Sequence, residues 1–182
     1  MASAELIWQR RQFTLKGSYG VGQRPAGAWG MEGSQQVPDQ GRFARWGGYA
    51  GYDLGLEGGL RGFTGLGWAS GRGFDRFSPL DFNGRVSGID DAAVSADRMI
   101  YGTVGCHVPT GPKLRLTAAL EHGRARHMVD QKTYGFTGLR LAGDLPGFWW
   151  FTTVRVDLGA GLQSDIKGGK AVNGMVSVLR LF

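Results

Sequence analysis

The side chains best suited to acid–base or metal chemistry are three histidines, His107, His122 and His127. Their spacing argues against a shared site. Glu121 and His122 are adjacent, so in a strand they point to opposite faces and cannot hold one metal ion between them. No serine stands where a strand would bring it to the same face and rim as a histidine, which removes the usual basis for serine–histidine nucleophilic chemistry. The glycine-rich stretches Gly71-Arg72-Gly73 and Gly168-Gly169-Lys170 lack P-loop spacing and a following helix. No catalytic, cofactor-binding or metal-binding residue is expected, and the chain reads as non-enzymatic. Arg124 and Arg126 lie between His122 and His127, and arginine forks pair well with phosphate, although charges left in water are the simpler reading.

A second set of charged residues is spread along the whole chain: Lys16, Arg45, Asp53, Glu57, Arg61, Arg115, Glu121, Arg140, Arg155 and Asp157. What must position them is period-two alternation. From Phe148 to Leu162 the even positions read Phe, Trp, Thr, Val, Val, Leu, Ala, Leu, while the odd positions after Phe151 carry Thr153, Arg155, Asp157, Gly159 and Gly161. Such a period belongs to a β-strand whose faces meet different surroundings. The run is about twice the length usual in soluble proteins and suits a tilted membrane-spanning strand. The same alternation recurs from Gln12 through Val21, over Phe43–Glu57, Leu60–Trp68, Val94–Val108, Lys113–Glu121 and Thr133–Ala142, and at the end over Ala171–Phe182. Ala26–Ser34 is a weaker strand. All ten charges fall opposite the apolar positions, whose belt includes Trp46, Tyr52, Leu66, Trp68, Leu116, Val154, Val156 and Leu158.

Composition agrees with strands. Glycine accounts for 33 of 182 residues without collagen period or low-complexity tract, and interior glycines cost helices about 0.5–1 kcal/mol each. No apolar run reaches the roughly 18 residues of a membrane helix, which leaves open a barrel whose apolar residues occupy every second position. The net charge is +6, yet the basic residues are dispersed singly on the polar sides of strands, not gathered in a stripe for nucleic acid. Cys106 is the single cysteine and forbids an internal disulfide. Residues 1–11, with no basic and apolar leader pattern, read as an irregular N-terminal segment, and residues 12–182 as one β domain.

Short connections (22–27, 57–60, 109–112, 143–147) alternate with longer ones (34–42, 70–93, 122–132, 163–170), as in barrels with tight turns on one rim and long loops on the other. The segment Ser70–Ala93, charged and without alternation, is expected as an exposed recognition loop. The stretches "GRFARWGGYAGYDLG", "GLRGFTGLGWASG" and the closing "GMVSVLRLF" resemble bacterial outer-membrane β-barrels. The pattern is most similar to the C-terminal translocator barrel of autotransporters and less close to small OmpA-like barrels. Arg180 departs from it, since the third position from the end is usually apolar or aromatic there.

The resemblance implies an all-β, antiparallel, up-and-down transmembrane β-barrel in the outer membrane of a Gram-negative bacterium. About nine strands are readable, within a range of eight to ten. That number fits a complete small barrel or the C-terminal part of a twelve-stranded one. Its implied role is a membrane anchor or translocator domain of a secretion or surface protein, with the ten charges facing the lumen. The alternative is a complete small barrel acting as a surface antigen, a structural protein or a lipid A-modifying enzyme. Implied partners are outer-membrane lipid and lipopolysaccharide, the barrel assembly machinery through the strand ending at Phe182, and an upstream passenger domain. No nucleic acid and no cofactor are expected.

Overall fold

The computed structural model describes residues 2–23, 42–73, 80, 86–89, 95–111, 114–146, 152–166 and 169–180. Nine strands follow one another: β1 (Ala2–Arg10), β2 (Phe13–Gln23), β3 (Arg42–Gly55), β4 (Arg61–Arg72), β5 (Ala96–Pro109), β6 (Arg115–His127), β7 (Thr133–Pro146), β8 (Thr152–Ser164) and β9 (Val172–Arg180). Each pairs antiparallel with the next, giving one nine-stranded sheet in sequence order. Strands up to 14 residues long are about twice the ordinary length. Among the described residues β1 and β9 are not paired to each other, so the sheet is an open meander and not a closed barrel.

Pairing register carries the sequence alternation across the sheet. One row runs Trp68, Ile100, Arg124, Gly135; the next runs Leu66, Gly102, His122, Thr137, Gln163. This outer face carries most of the large apolar side chains that remain exposed, among them Leu15, Leu54, Leu66, Val104, Leu120, Leu141, Leu158 and Val176. The inner face carries glycine, alanine, aromatic rings and charge. All eight residues of the expected apolar belt occupy outer positions in the register.

Many inner positions of β4–β8 are buried although, among the described residues, no second sheet covers them; a segment of the β4–β5 connection does instead. Leu80, Val86 and Ile89 are buried with Ala69, Ala96, Met99, Ala125 and Phe136 in one apolar cluster. Leu80 exchanges two backbone hydrogen bonds with Ala96, of 2.8 and 3.1 Å. The expectation of an exposed loop over Ser70–Ala93 therefore fails for its described residues: Ser70–Arg72 extend β4, and Leu80 and Val86–Ile89 line the interior. Apolar Leu80, Val86 and Ile89 are the physical reason, because they give an otherwise charged segment something to bury.

Other boundaries shift as well. Residues 2–10, expected as an irregular lead-in, form β1 and pair along their whole length with β2. The expected strand Ala26–Ser34 lies outside the described residues. His122–His127, expected as a loop, continues β6, and Gly123 and Ala125 face inward under Phe136 and Tyr134. The antiparallel order puts Arg10, Phe13, Gly55, Arg61, Pro109, Arg115, Pro146 and Thr152 at one rim, the turn rim, and Gln23, Arg42, Arg72, Ala96, His127, Thr133, Ser164 and Val172 at the other, the rim of longer connections.

Candidate functional site: the charged half of the inner face

Register divides the inner face into two halves. Towards the rim of longer connections, Tyr49, Gly67, Tyr101, Gly123 and Phe136 form one row. A Cβ at Gly67 would collide with the Tyr101 ring, so glycine here makes room for an aromatic on the neighbouring strand. Towards the turn rim the rows turn polar: Arg61, His107, Thr117, Ala142, Asp157 in one, and Arg115, Asp144, Arg155, Ser177 in the next.

On β6, β7 and β8 these charges form a connected chain. Arg140 donates from Nε to Asp157 Oδ1 at 2.8 Å and from Nη2 at 2.7 Å. Arg155 Nε donates to Asp157 Oδ2 at 2.6 Å, and its Nη1 lies 3.6 Å from Asp144. Arg140 Nη1 reaches Glu121 at 3.9 Å. Glu121 is 4% exposed and accepts the Ser87 backbone N–H at 2.6 Å. A carboxylate this buried needs such donors, because desolvation otherwise makes its charge costly.

Ser87 belongs to the inward segment, which fits a trough floored by glycines. A Cβ at Gly138 would strike the Ser87 carbonyl, and one at Gly161 would strike the Gly88 carbonyl. Gly88 has a φ of 73°, which favours glycine. Its N–H donates to Asn173 Oδ1 at 3.2 Å, and its carbonyl accepts the Ala171 N–H at 2.8 Å. The segment is thus tied to β6 and to the start of β9, across the inner faces of β7 and β8.

Of the ten charges expected inside, Glu121, Arg140, Arg155 and Asp157 are brought into this chain. Lys16, Arg45, Asp53, Arg61 and Arg115 occupy inner register positions outside it. Asp53, Arg61, His107 and Arg115 border a separate hollow of about 370 Å³ at the turn rim. Glu57 falls in a 3-10 turn, Glu57–Gly59, between β3 and β4 and so is not a wall position. Sequence reasoning missed Asp144, the end of the chain of charges, and Ser87, whose contribution is a backbone N–H that no side-chain pattern reveals.

The histidines stand apart. His107 faces inward, stacked on Phe63 at 4.6 Å and bonded through Nδ1 to Thr117 at 2.8 Å. His122 lies on the outer face against Thr137 at 2.9 Å, and His127 meets Asp130 at 3.1 Å in the β6–β7 turn. In that turn Asp130 also accepts the Tyr134 hydroxyl and the Lys132 N–H, and these bonds hold its carboxyl below the ordinary range. Among the described residues no group of three or more His, Cys, Asp or Glu side chains is placed to hold a metal ion. The arrangement can hold a segment of chain by hydrogen bonds and charge.

In comparisons with known proteins, no family model, no curated protein and no solved structure matches this chain. No described helix is long and apolar enough to cross a membrane, which bears only on helices.

Proposed function

We propose that this sheet is the wall of an outer-membrane β-barrel in a Gram-negative bacterium, serving as a non-enzymatic anchor or translocator domain of a secretion or surface protein. The observation that carries the reading is the outer face. Leu66, Val104 and Leu158 are 57%, 57% and 54% exposed, and comparable side chains recur on strand after strand. A continuous apolar surface of this kind is unusual on a soluble monomer and is what hydrocarbon requires. On the opposite face Glu121, Arg140, Asp144, Arg155 and Asp157 are paired with one another, and the outer arginines Arg124 and Arg126 stand near the rim of longer connections. In lipid the unpaired edges of β1 and β9 would leave backbone groups without partners, so the wall must close through further pairing.

Polypeptide passage is compatible with this geometry only when the segment 86–89 leaves its trough. In the arrangement described, the reading favours an anchor whose interior is filled. Partners that follow from it are outer-membrane lipid, the assembly machinery acting on the last strand, and a passenger domain. The direct test is solubility. The purified chain should be monodisperse only with detergent or lipid, and should resist protease when refolded into phosphatidylcholine vesicles. A monodisperse, folded monomer in buffer without any amphiphile would overturn the reading.

A further inference from the structure

On the outer face of β4–β6 a shallow groove of about 570 Å³ runs along the strands. Leu66, Ile100, Val104 and Leu120 border it, and Gly102 forms its floor. Nothing fills that floor: a Cβ at Gly102 would meet only Gly65 O at 3.5 Å and Leu66 Cδ1 at 3.8 Å, which is ordinary contact. At the end nearer the rim of longer connections stand His122 and Arg124, both exposed. Arg124 sits opposite Ile100 on one side and Gly135 on the other, so neither neighbouring position offers a carboxylate. One acidic group, Asp165, borders an adjoining hollow with His122 and Arg124 and accepts the Gly135 N–H at 2.6 Å.

An apolar trough with a cation at one end has the form of an amphiphile with an anionic head. We propose that this groove binds a bilayer lipid bearing a phosphate monoester, one acyl chain lying over Gly102 and the phosphate on Arg124 and His122. The proposal rests on the membrane reading, because it places the groove against lipid. Arginine pairs with phosphate by parallel hydrogen bonds, and the glycine floor lets the chain lie closer to the sheet than the bulk lipid around it. Leu66 sets the groove's wall on the β4 side.

The test is native mass spectrometry on the full chain refolded in detergent and titrated with dioleoyl phosphatidic acid, dioleoyl phosphatidylcholine or inorganic phosphate. Preferential retention of one phosphatidic acid over phosphatidylcholine is the expected result. Arg124→Gln should lower that preference about fivefold, the worth of one arginine near an anionic lipid head, while Arg124→Lys should keep most of it. Gly102→Leu fills the floor without straining the backbone and should weaken retention of both lipids at this site, with phosphatidic acid losing most. Equal retention of the two lipids by the unaltered protein overturns the proposal, as does an Arg124→Gln variant that keeps the full preference. Inorganic phosphate binding as tightly as phosphatidic acid would reduce the groove to an ion site and also overturn it. Failure of the membrane reading shows separately, as folding without any amphiphile; a chain that needs detergent yet shows no preference sinks only the lipid site.

Discussion

Replacing Leu158 by arginine tests the outer face at its deepest point. β8 spans Thr152–Ser164, so Leu158 lies six residues from either end. At about 3.4 Å per residue and a tilt of about 40°, the strand covers roughly 30 Å of depth, or about 2.6 Å per residue. Leu158 then falls near the middle of an apolar band about 25 Å tall, too deep for a long side chain to reach the headgroups easily. Its neighbours in the outer row are Leu141 and Gly174, so no partner for a guanidinium is nearby. A cost of about 2–4 kcal/mol follows for arginine at that depth. Val154, four residues nearer the turn rim, lies about 10 Å from the middle, and Val154→Arg should cost about 1 kcal/mol. Both are read by urea unfolding in phosphatidylcholine vesicles, followed by tryptophan fluorescence. The gradient is the diagnostic quantity. If Leu158→Arg changes stability by less than about 0.5 kcal/mol, the level of an ordinary surface substitution, or if the two variants lose equally, the outer face does not meet hydrocarbon.

Four further outcomes follow from the inner face and the β6–β7 turn. Asp157→Asn should cost about 2–4 kcal/mol, because Asp157, 12% exposed in its side chain, is the carboxylate shared by Arg140 and Arg155; a loss under about 0.5 kcal/mol in the same urea assay would show the chain of charges to be unimportant. Arg155→Gln should cost less, about 1 kcal/mol, since Arg140 still holds Asp157. Gly138→Ala should push Ser87 out of its trough, so hydrogen exchange at the Ser87 and Gly88 amides should accelerate at least tenfold, and an unchanged rate would mean that the segment is held elsewhere. For Asp130 the folded carboxyl titrates below its unfolded value, so its stabilisation of the turn is present above the unfolded carboxylate pKa, about 3.9, and is lost as pH falls through the lower folded value. Hydrogen exchange over Met128–Gln131 should rise across that acid window and Asp130→Asn should flatten the response; a wild-type turn indifferent to acid contradicts the assignment.

Much of the sheet was legible because period two survives wherever the outer side chain is apolar and the inner one polar. It was read correctly in β3, β4, β8 and β9 for that reason. At His122–His127 the outer residues are His122, Arg124 and Arg126 and the inner ones Gly123 and Ala125, so polarity inverts while the period persists, and the strand looked like a loop. β1 was missed for a different reason: its outer positions carry Ala2, Ala4, Leu6 and Trp8 against Ser3, Glu5 and Gln9, but Ile7 on the inner face breaks the period at its centre. The inward turn of the β4–β5 connection could not be read from side-chain type, because its anchors are the N–H groups of Ser87 and Gly88 meeting Glu121 and Asn173. The one available signal was the set Gly138, Gly159 and Gly161, which leaves the inner faces of β7 and β8 without side chains where another backbone could lie.

Among the described residues there are nine strands, the number expected, with Ala2–Arg10 counted and Ala26–Ser34 lying outside those residues, and the odd number has a structural consequence. β1 and β9 both run from the rim of longer connections to the turn rim. Joined directly they would form a parallel pair in an otherwise antiparallel sheet, whereas bacterial single-chain barrels have even strand numbers and antiparallel closure throughout. Under the barrel reading proposed above, an odd number of additional strands between β9 and β1 would restore that closure. Either edge could receive them in register. Over Val172–Val178, β9 presents Val172, Val176 and Val178 outward and Asn173 and Ser177 inward, with Met175 the apolar exception on the inner face. β1 presents Ala4, Leu6 and Trp8 outward and Ser3, Glu5 and Gln9 inward, with Ile7 the exception. Because each edge keeps its alternation at all but one of these inner positions, a neighbour slipped by one residue would turn its own apolar side chains to the inner face on both edges alike.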